Sequence, residues 1–245
     1  MRNLLASLLL CLLFTSCGGR KNIPDVSNIS ANVTIERFDS SFFQLDTNKL
    51  AQGLAQLQMK HPGFYQGFME FMLGLPANDT SGDAQNNLLF FYEGYRPLFD
   101  SLMTSYSNVD DVQEEVVQGL KFAKYYFPKY NGVKKLTFFI GPFDAPGTAL
   151  IPYGIAIGLQ QYAGKDFSFY RSEQGRSMYP DYISRRFTRE YIPVNCMKLV
   201  VEDICPDTTR GAPLIDRIVR KGREAWLLDQ FMPLTPDSDR KSTCL

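Results

Sequence analysis

The chain has 245 residues, 44% hydrophobic and 21% charged, a balance that suits a globular protein with a sizeable core and excludes a disordered one. Lys plus Arg and Asp plus Glu stand at 26 each, and bulk nucleic-acid binding, which needs a basic excess, is excluded. Aromatic residues make up 13%, with 19 Phe and 13 Tyr, so the core is expected to be rich in rings.

The N-terminus carries an export signal. Arg2 gives a positive start, and Leu4 to Phe14 (LLASLLLCLLF) is an apolar run. It is too short to span a bilayer as a helix but has the length of a signal-peptide core. Thr15-Ser16-Cys17, followed by Gly18-Gly19, resembles the lipobox of bacterial lipoproteins. Residues 1–16 are then a lipoprotein signal peptide, and Cys17 is the lipidation site and first residue of the mature chain. Phe14 stands where an aliphatic residue is usual, and an ordinary secretory signal is the alternative. Removing residues 1–16 takes away only Arg2, leaving 25 basic against 26 acidic residues. Acyl chains, palmitate among them, anchor by the burial of methylene groups. Gly18 to Ser30 is polar with one Pro and two Gly, so residues 17–30 read as a tether.

Beyond the tether, Val33 to Phe38 (VTIERF) alternates apolar and polar and predicts a strand, with Asp39 as the cap of a short helix over Ser40–Gln44. Thr47 to Lys60 has Leu50, Leu54 and Leu57 on one helical face, ended by His61-Pro62. Phe64 to Leu73 is a second helix, and Ala77 to Gln85 a loop. Asn86 to Tyr106 reads as two short helices or one kinked at Pro97. A helix over Val112–Phe127 follows the acidic start Asn108-Val109-Asp110-Asp111. Val133 to Phe143 and Ala149 to Tyr162, either side of Pro146-Gly147, predict a two-stranded hairpin. A loop is expected over Gly164–Arg176, a short helix over Asp181–Phe187, and a break near Glu190–Ile192. Pro193 then opens a fresh helix to Ile204. Pro213 opens the last helix, to Phe231, with Ile215, Ile218, Val219, Gly222 and Trp226 on one side and Arg217, Arg220, Lys221 and Arg223 on the other. The expected fold class is α+β, mainly helical with a small antiparallel hairpin, over one domain from residue 31 to 245.

Val33-Thr34-Ile35-Glu36-Arg37-Phe38-Asp39 followed by Phe42-Phe43 resembles the opening of GldB-type gliding motility lipoproteins. The later segments resemble that family in the same order: the hairpin region Phe139–Tyr170, then Asp181–Pro193, then Leu214–Pro233. The resemblance covers Val33 to Ser238. It implies a cell-envelope lipoprotein of gliding bacteria with an outer membrane. Family chains continue further, so the domain is expected to be incomplete at its C-terminus. The order of sheet edge then helix also resembles predicted zinc peptidases.

Such peptidases place two His one helical turn apart with a Glu between them. At that place stands Arg189-Glu190-Tyr191-Ile192-Pro193, which keeps the Glu but neither ligand. His61 is the only His in the chain, so a catalytic zinc with several His ligands cannot be built. An acidic set drawn from Glu190, Glu202, Asp203 and Glu224 would suit calcium or magnesium better, with solvated helix charges as the simpler reading. Any Ser–His or Cys–His pair must use His61, and no Gly-x-Ser-x-Gly elbow occurs. Glu36 and Asp39 offer a pair of carboxylates, with a strand-end salt bridge to Arg37 as the simpler reading. Arg185, Arg186 and Arg189 with the basic side of the last helix form the one flagged surface. It suits anionic headgroups or an acidic partner, or is balanced by Asp181, Asp216 and Glu224.

Cys196 and Cys205, nine residues apart, would lie about 13.5 Å apart on one straight helix. That is too far for a disulfide, so they pair only if the helix stops before Cys205, and otherwise are free thiols. The reading is therefore a non-enzymatic, periplasm-facing lipoprotein. It would be anchored through Cys17, with no cofactor, no metal and no catalytic residue, and bind other gliding motility or secretion proteins. A metal-dependent hydrolase with an acidic site is the alternative.

Overall fold

A computed structural model describes residues 23–79, 81–208, 211 and 213–235. The signal peptide, Cys17, the first part of the tether and Cys244 lie outside the described residues.

The chain opens with strand β1 (Thr34–Arg37), followed by helix α1 (Phe38–Phe43). Asp39 does not cap α1, as the sequence suggests. It lies inside the helix, fully buried, because the Arg37 guanidinium takes its carboxylate at 2.7 Å. A 3₁₀ turn (Thr47–Lys49) leads into α2 (Leu50–Lys60), which stops at His61-Pro62 as expected. Helix α3 (Tyr65–Gly67) runs on as a π turn over Phe68–Met72. Of the two readings of this stretch, two short helices are not found: α4 is one helix from Gly82 to Tyr106 with Pro97 inside it and Ser81 as its cap. Leu88, Phe91, Tyr92, Leu98, Phe99 and Leu102 on both sides of Pro97 are buried, and that packing outweighs the hydrogen bond Pro removes. Helix α5 (Asp110–Tyr126) follows.

The sheet departs from the expected hairpin. Strands β2 (Lys135–Phe139), β3 (Thr148–Ile151) and β4 (Gly154–Gly158) join β1 in the order β1-β2-β4-β3. Strands β1 and β2, and β2 and β4, are parallel, and only β3 and β4 are antiparallel. The hairpin thus forms inside the second apolar run, where Pro152 and Tyr153 make its turn and Tyr153 takes φ 60°. The sheet is mixed because β2 and β4, fully or nearly buried, both need central positions, while the half-exposed β3 tolerates the edge.

The expected loop over Gly164–Arg176 contains two short helices, α6 (Ser168–Arg171) and α7 (Glu173–Met178), and the next helix, α8, is only Asp181–Ser184. Helix α9 spans Tyr191–Ile204 with Pro193 in its first turn, where a missing N–H costs nothing. It packs parallel to α5: Arg189 meets Asp111 at one end, Gly119 lies close to Met197 in the middle, and Gly132, just past α5, lies close to Asp203 at the other. Helix α10 (Leu214–Phe231) closes the described chain.

Rings fill the core between α1, α3, α4 and the sheet. Phe38 contacts Phe68 at 4.7 Å between centroids, and Phe43 stacks on Phe99 at 4.8 Å. Helix α9 stops at Ile204, just before Cys205, yet Cys196 and Cys205 are both free, with Cys196 buried in the core. No described helix is long and apolar enough to cross a membrane.

Candidate functional site

Arg189, two residues ahead of α9, is a structural clamp. Its Nε donates to Asp111 Oδ2 at 2.8 Å, Nη1 to the Ser105 carbonyl at 2.5 Å, and Nη2 to the Asn108 carbonyl at 2.9 Å. The guanidinium lies 5.0 Å from the centroid of the Tyr106 ring. A fork of fixed N–H directions suits this set, and a Lys would satisfy only part of it. The clamp pins the start of α9 to the α4–α5 junction. The neighbouring Asp111 carboxyl is held below the usual range, chiefly by the bond from Arg189.

Glu190 stands exposed at the N-cap of α9, beside Arg189, Tyr106 and Tyr162, on the wall of an open cavity of about 790 Å³. Glu202 and Asp203 lie in the last turn of the same helix, about 18 Å along its axis from Glu190. Glu224 is taken by Arg220 at 2.6 Å and Lys221 at 2.8 Å. The four carboxylates considered together in the sequence therefore do not converge. Among the described residues, no group of three or more His, Cys, Asp or Glu side chains is placed to hold a metal ion.

The single His is not at this site. His61 is 3% exposed and stacks edge-on against Phe38 at 5.3 Å. Its Nε2 lies 3.0 Å from Ser41 Oγ, and its Nδ1 is 3.7 Å from Glu36 Oε1. Glu36 accepts from Thr137 Oγ1 at 2.7 Å and Lys135 Nζ at 3.2 Å. Burial drives the His61 pKa down, against the pull of Glu36, so the ring is neutral near pH 7. Burial also pushes Glu36 upward, but the Thr137 and Lys135 hydrogen bonds outweigh it, and its pKa ends below the ordinary value.

Serine, histidine and carboxylate are the residue types of a hydrolytic triad, but the geometry is that of a structural knot. The Ser41 hydroxyl donates back to the Arg37 carbonyl at 3.0 Å, while its oxygen accepts from Lys60 Nζ at 2.9 Å. The carboxylate stops beyond hydrogen-bond reach of Nδ1. With its hydrogen committed to the Arg37 carbonyl, Ser41 is not an activated nucleophile. The knot ties β1, α1, α2 and β2 together. Its members were invisible to spacing arguments, because Thr137 and Glu36 are 101 residues apart and Ser41 and His61 are 20 apart.

The basic surface flagged from the sequence is divided. Arg189 is spent on the clamp, and Arg220 pairs with Asp207 at 3.2 Å and Glu224. The apolar side of α10 is the larger surprise. Its C-terminal half enters the core through Leu227, Leu228 and Phe231, but Leu214, Ile215, Ile218, Val219 and Trp226 face outward.

Searches of curated proteins and of solved structures gave no match. The family model described as gliding motility protein GldB matches residues 19–241, most of the chain. Strand β1, the hairpin region and the last two long helices all lie within that match, and the chain belongs to the GldB family of gliding motility proteins.

Proposed function

We propose that this protein is a lipoprotein of the bacterial cell envelope, acylated on Cys17 and facing the periplasm. It serves the gliding machinery by binding other motility or secretion components. The family match over residues 19–241 carries this reading. The leader over residues 1–16 supplies the route out of the cytoplasm, and Cys17 the anchor.

The binding role is supported by what occupies the peptidase-like position. We read the domain as a zinc-peptidase-like arrangement of sheet edge and helix whose ligand positions serve packing: Arg189 is a clamp, and Pro193 sits in the first turn of α9. Protein purified without chelator is expected to carry no stoichiometric zinc, and a tightly held ion beside Glu190 would favour hydrolysis instead.

Two cellular measurements test the main reading. A deletion strain should fail to spread on a surface, and normal spreading removes the motility role. Cys17→Ala should abolish acyl labelling, and retained labelling removes the anchor.

A further inference from the structure

The outward stripe of α10 has no counterpart within the described body. At about 100° per residue, Leu214, Ile215, Ile218, Val219 and Trp226 fall within one arc. Glu224, Leu227, Leu228 and Phe231, which meet the body, fall on the opposite side. The five large apolar residues are between 46% and 64% exposed. The stripe runs about 18 Å along the helix and ends at Asp229. Lys221 stands on one rim and Arg223 on the other. An apolar stripe with Trp, flanked on both sides by cations on long stems, matches the interfacial region of an anionic bilayer.

The path of the N-terminal chain puts this helix at the membrane-proximal end. The Val33 carbonyl accepts from Gln113 in the first half of α5, and the Ser30 carbonyl accepts from Lys124 in its last turn at 2.9 Å. Going upstream, the tether therefore leaves the body at the C-terminal end of α5. Helix α10 docks at that same end: Tyr126 donates to Gln230 at 3.2 Å, and Phe127 meets Phe231 at 6.0 Å. Val26 is already buried, so the free tether is short. Fully extended, the chain from Cys17 to Asp25 reaches at most about 30 Å.

We infer that the outer face of α10 lies in the interface of an anionic phospholipid bilayer beside the acylated N-terminus, making a second contact that fixes how the body sits on the membrane. This deepens the proposed lipid anchoring and rests on it. A single acyl attachment leaves the body free to swivel, and a second apolar contact removes that freedom.

Trp226 is the only tryptophan in the chain, so it reports on this face directly. The mature chain, residues 17–245, with Cys17→Ala to remove the acyl group, would be titrated with vesicles. One set is equal parts phosphatidylglycerol and phosphatidylcholine, the other phosphatidylcholine alone. Trp226 emission should shift to shorter wavelength and be quenched by brominated acyl chains, with preference for the anionic vesicles. Ile215→Asp with Ile218→Asp, both at exposed positions, should raise the lipid needed for half-binding at least about tenfold while leaving the thermal melt unchanged. Lys221→Gln with Arg223→Gln should narrow the gap between the two vesicle types.

Unchanged emission and acrylamide quenching with both vesicles would overturn the inference and leave the stripe to a protein partner, with acyl labelling of Cys17 in cells still free to stand. Vesicle binding together with absent labelling would uphold the α10 contact and sink the anchor alone.

Discussion

Arg189→Met tests whether Arg189 clamps the start of α9 to the α4–α5 junction. Met keeps most of the stem volume and removes every donor. The ion pair to Asp111 is worth only about 0.5 kcal/mol, since the two side chains are 26% and 58% exposed. The two carbonyl bonds contribute about 1 kcal/mol each, and the Tyr106 ring about 0.5 kcal/mol. The expected loss is therefore about 2–3 kcal/mol, or roughly 5–10 °C in Tm for a chain of this size. Urea unfolding followed by circular dichroism measures it. Arg189→Lys should recover only about 1 kcal/mol, because one ammonium cannot meet the three acceptors the fork spans. A Met variant within about 0.5 kcal/mol of the parent, or a Lys variant equal to it, would refute the clamp.

Three further expectations follow from the packing. The depressed pKa of buried His61 means that the unfolded chain takes up a proton first, so its share of stability is complete above about pH 6.5 and is lost as pH falls below it. His61→Gln should flatten that part of the stability–pH curve, and an unchanged slope would show that other groups set it. At Gly175 an added Cβ would meet the Phe169 carbonyl at 1.9 Å, whereas at Gly119 it would meet the flexible Met197 Sδ at 2.7 Å. Gly175→Ala should cost about 3 kcal/mol and Gly119→Ala about 1 kcal/mol, and equal losses in urea would contradict the packing. Cys196 is fully buried, and its thiol pKa is driven up by burial. Peptide mapping should find it unmodified by iodoacetamide until the protein unfolds, while half-exposed Cys205 reacts in the folded state.

Much of the helical frame was legible along the chain. Local chemistry decided it: His61-Pro62 ended α2, Pro213 preceded α10, and Pro193 was tolerable only near a helix start. The misread elements were those where local signals conflicted with burial. Pro97 left open two short helices or one, and α4 runs through it because apolar residues on both sides are held in the core. The runs before and after Pro146-Gly147 read as partners, yet β2 lies parallel to β4 because pairing is chosen by which strands must be covered on both faces.

The family's ordered segments and the single His were set by residue identity, since each depends on which side chains are present and in what order. Only tertiary structure decided what those side chains do. It turned Arg189 into a clamp on Asp111 and gathered Glu36, Ser41, His61 and Thr137 into one buried knot. It also turned the apolar stripe of α10 away from the core. A periodic pattern marks which residues of a helix share a face. Whether that face is covered depends on neighbours brought close from elsewhere in the chain.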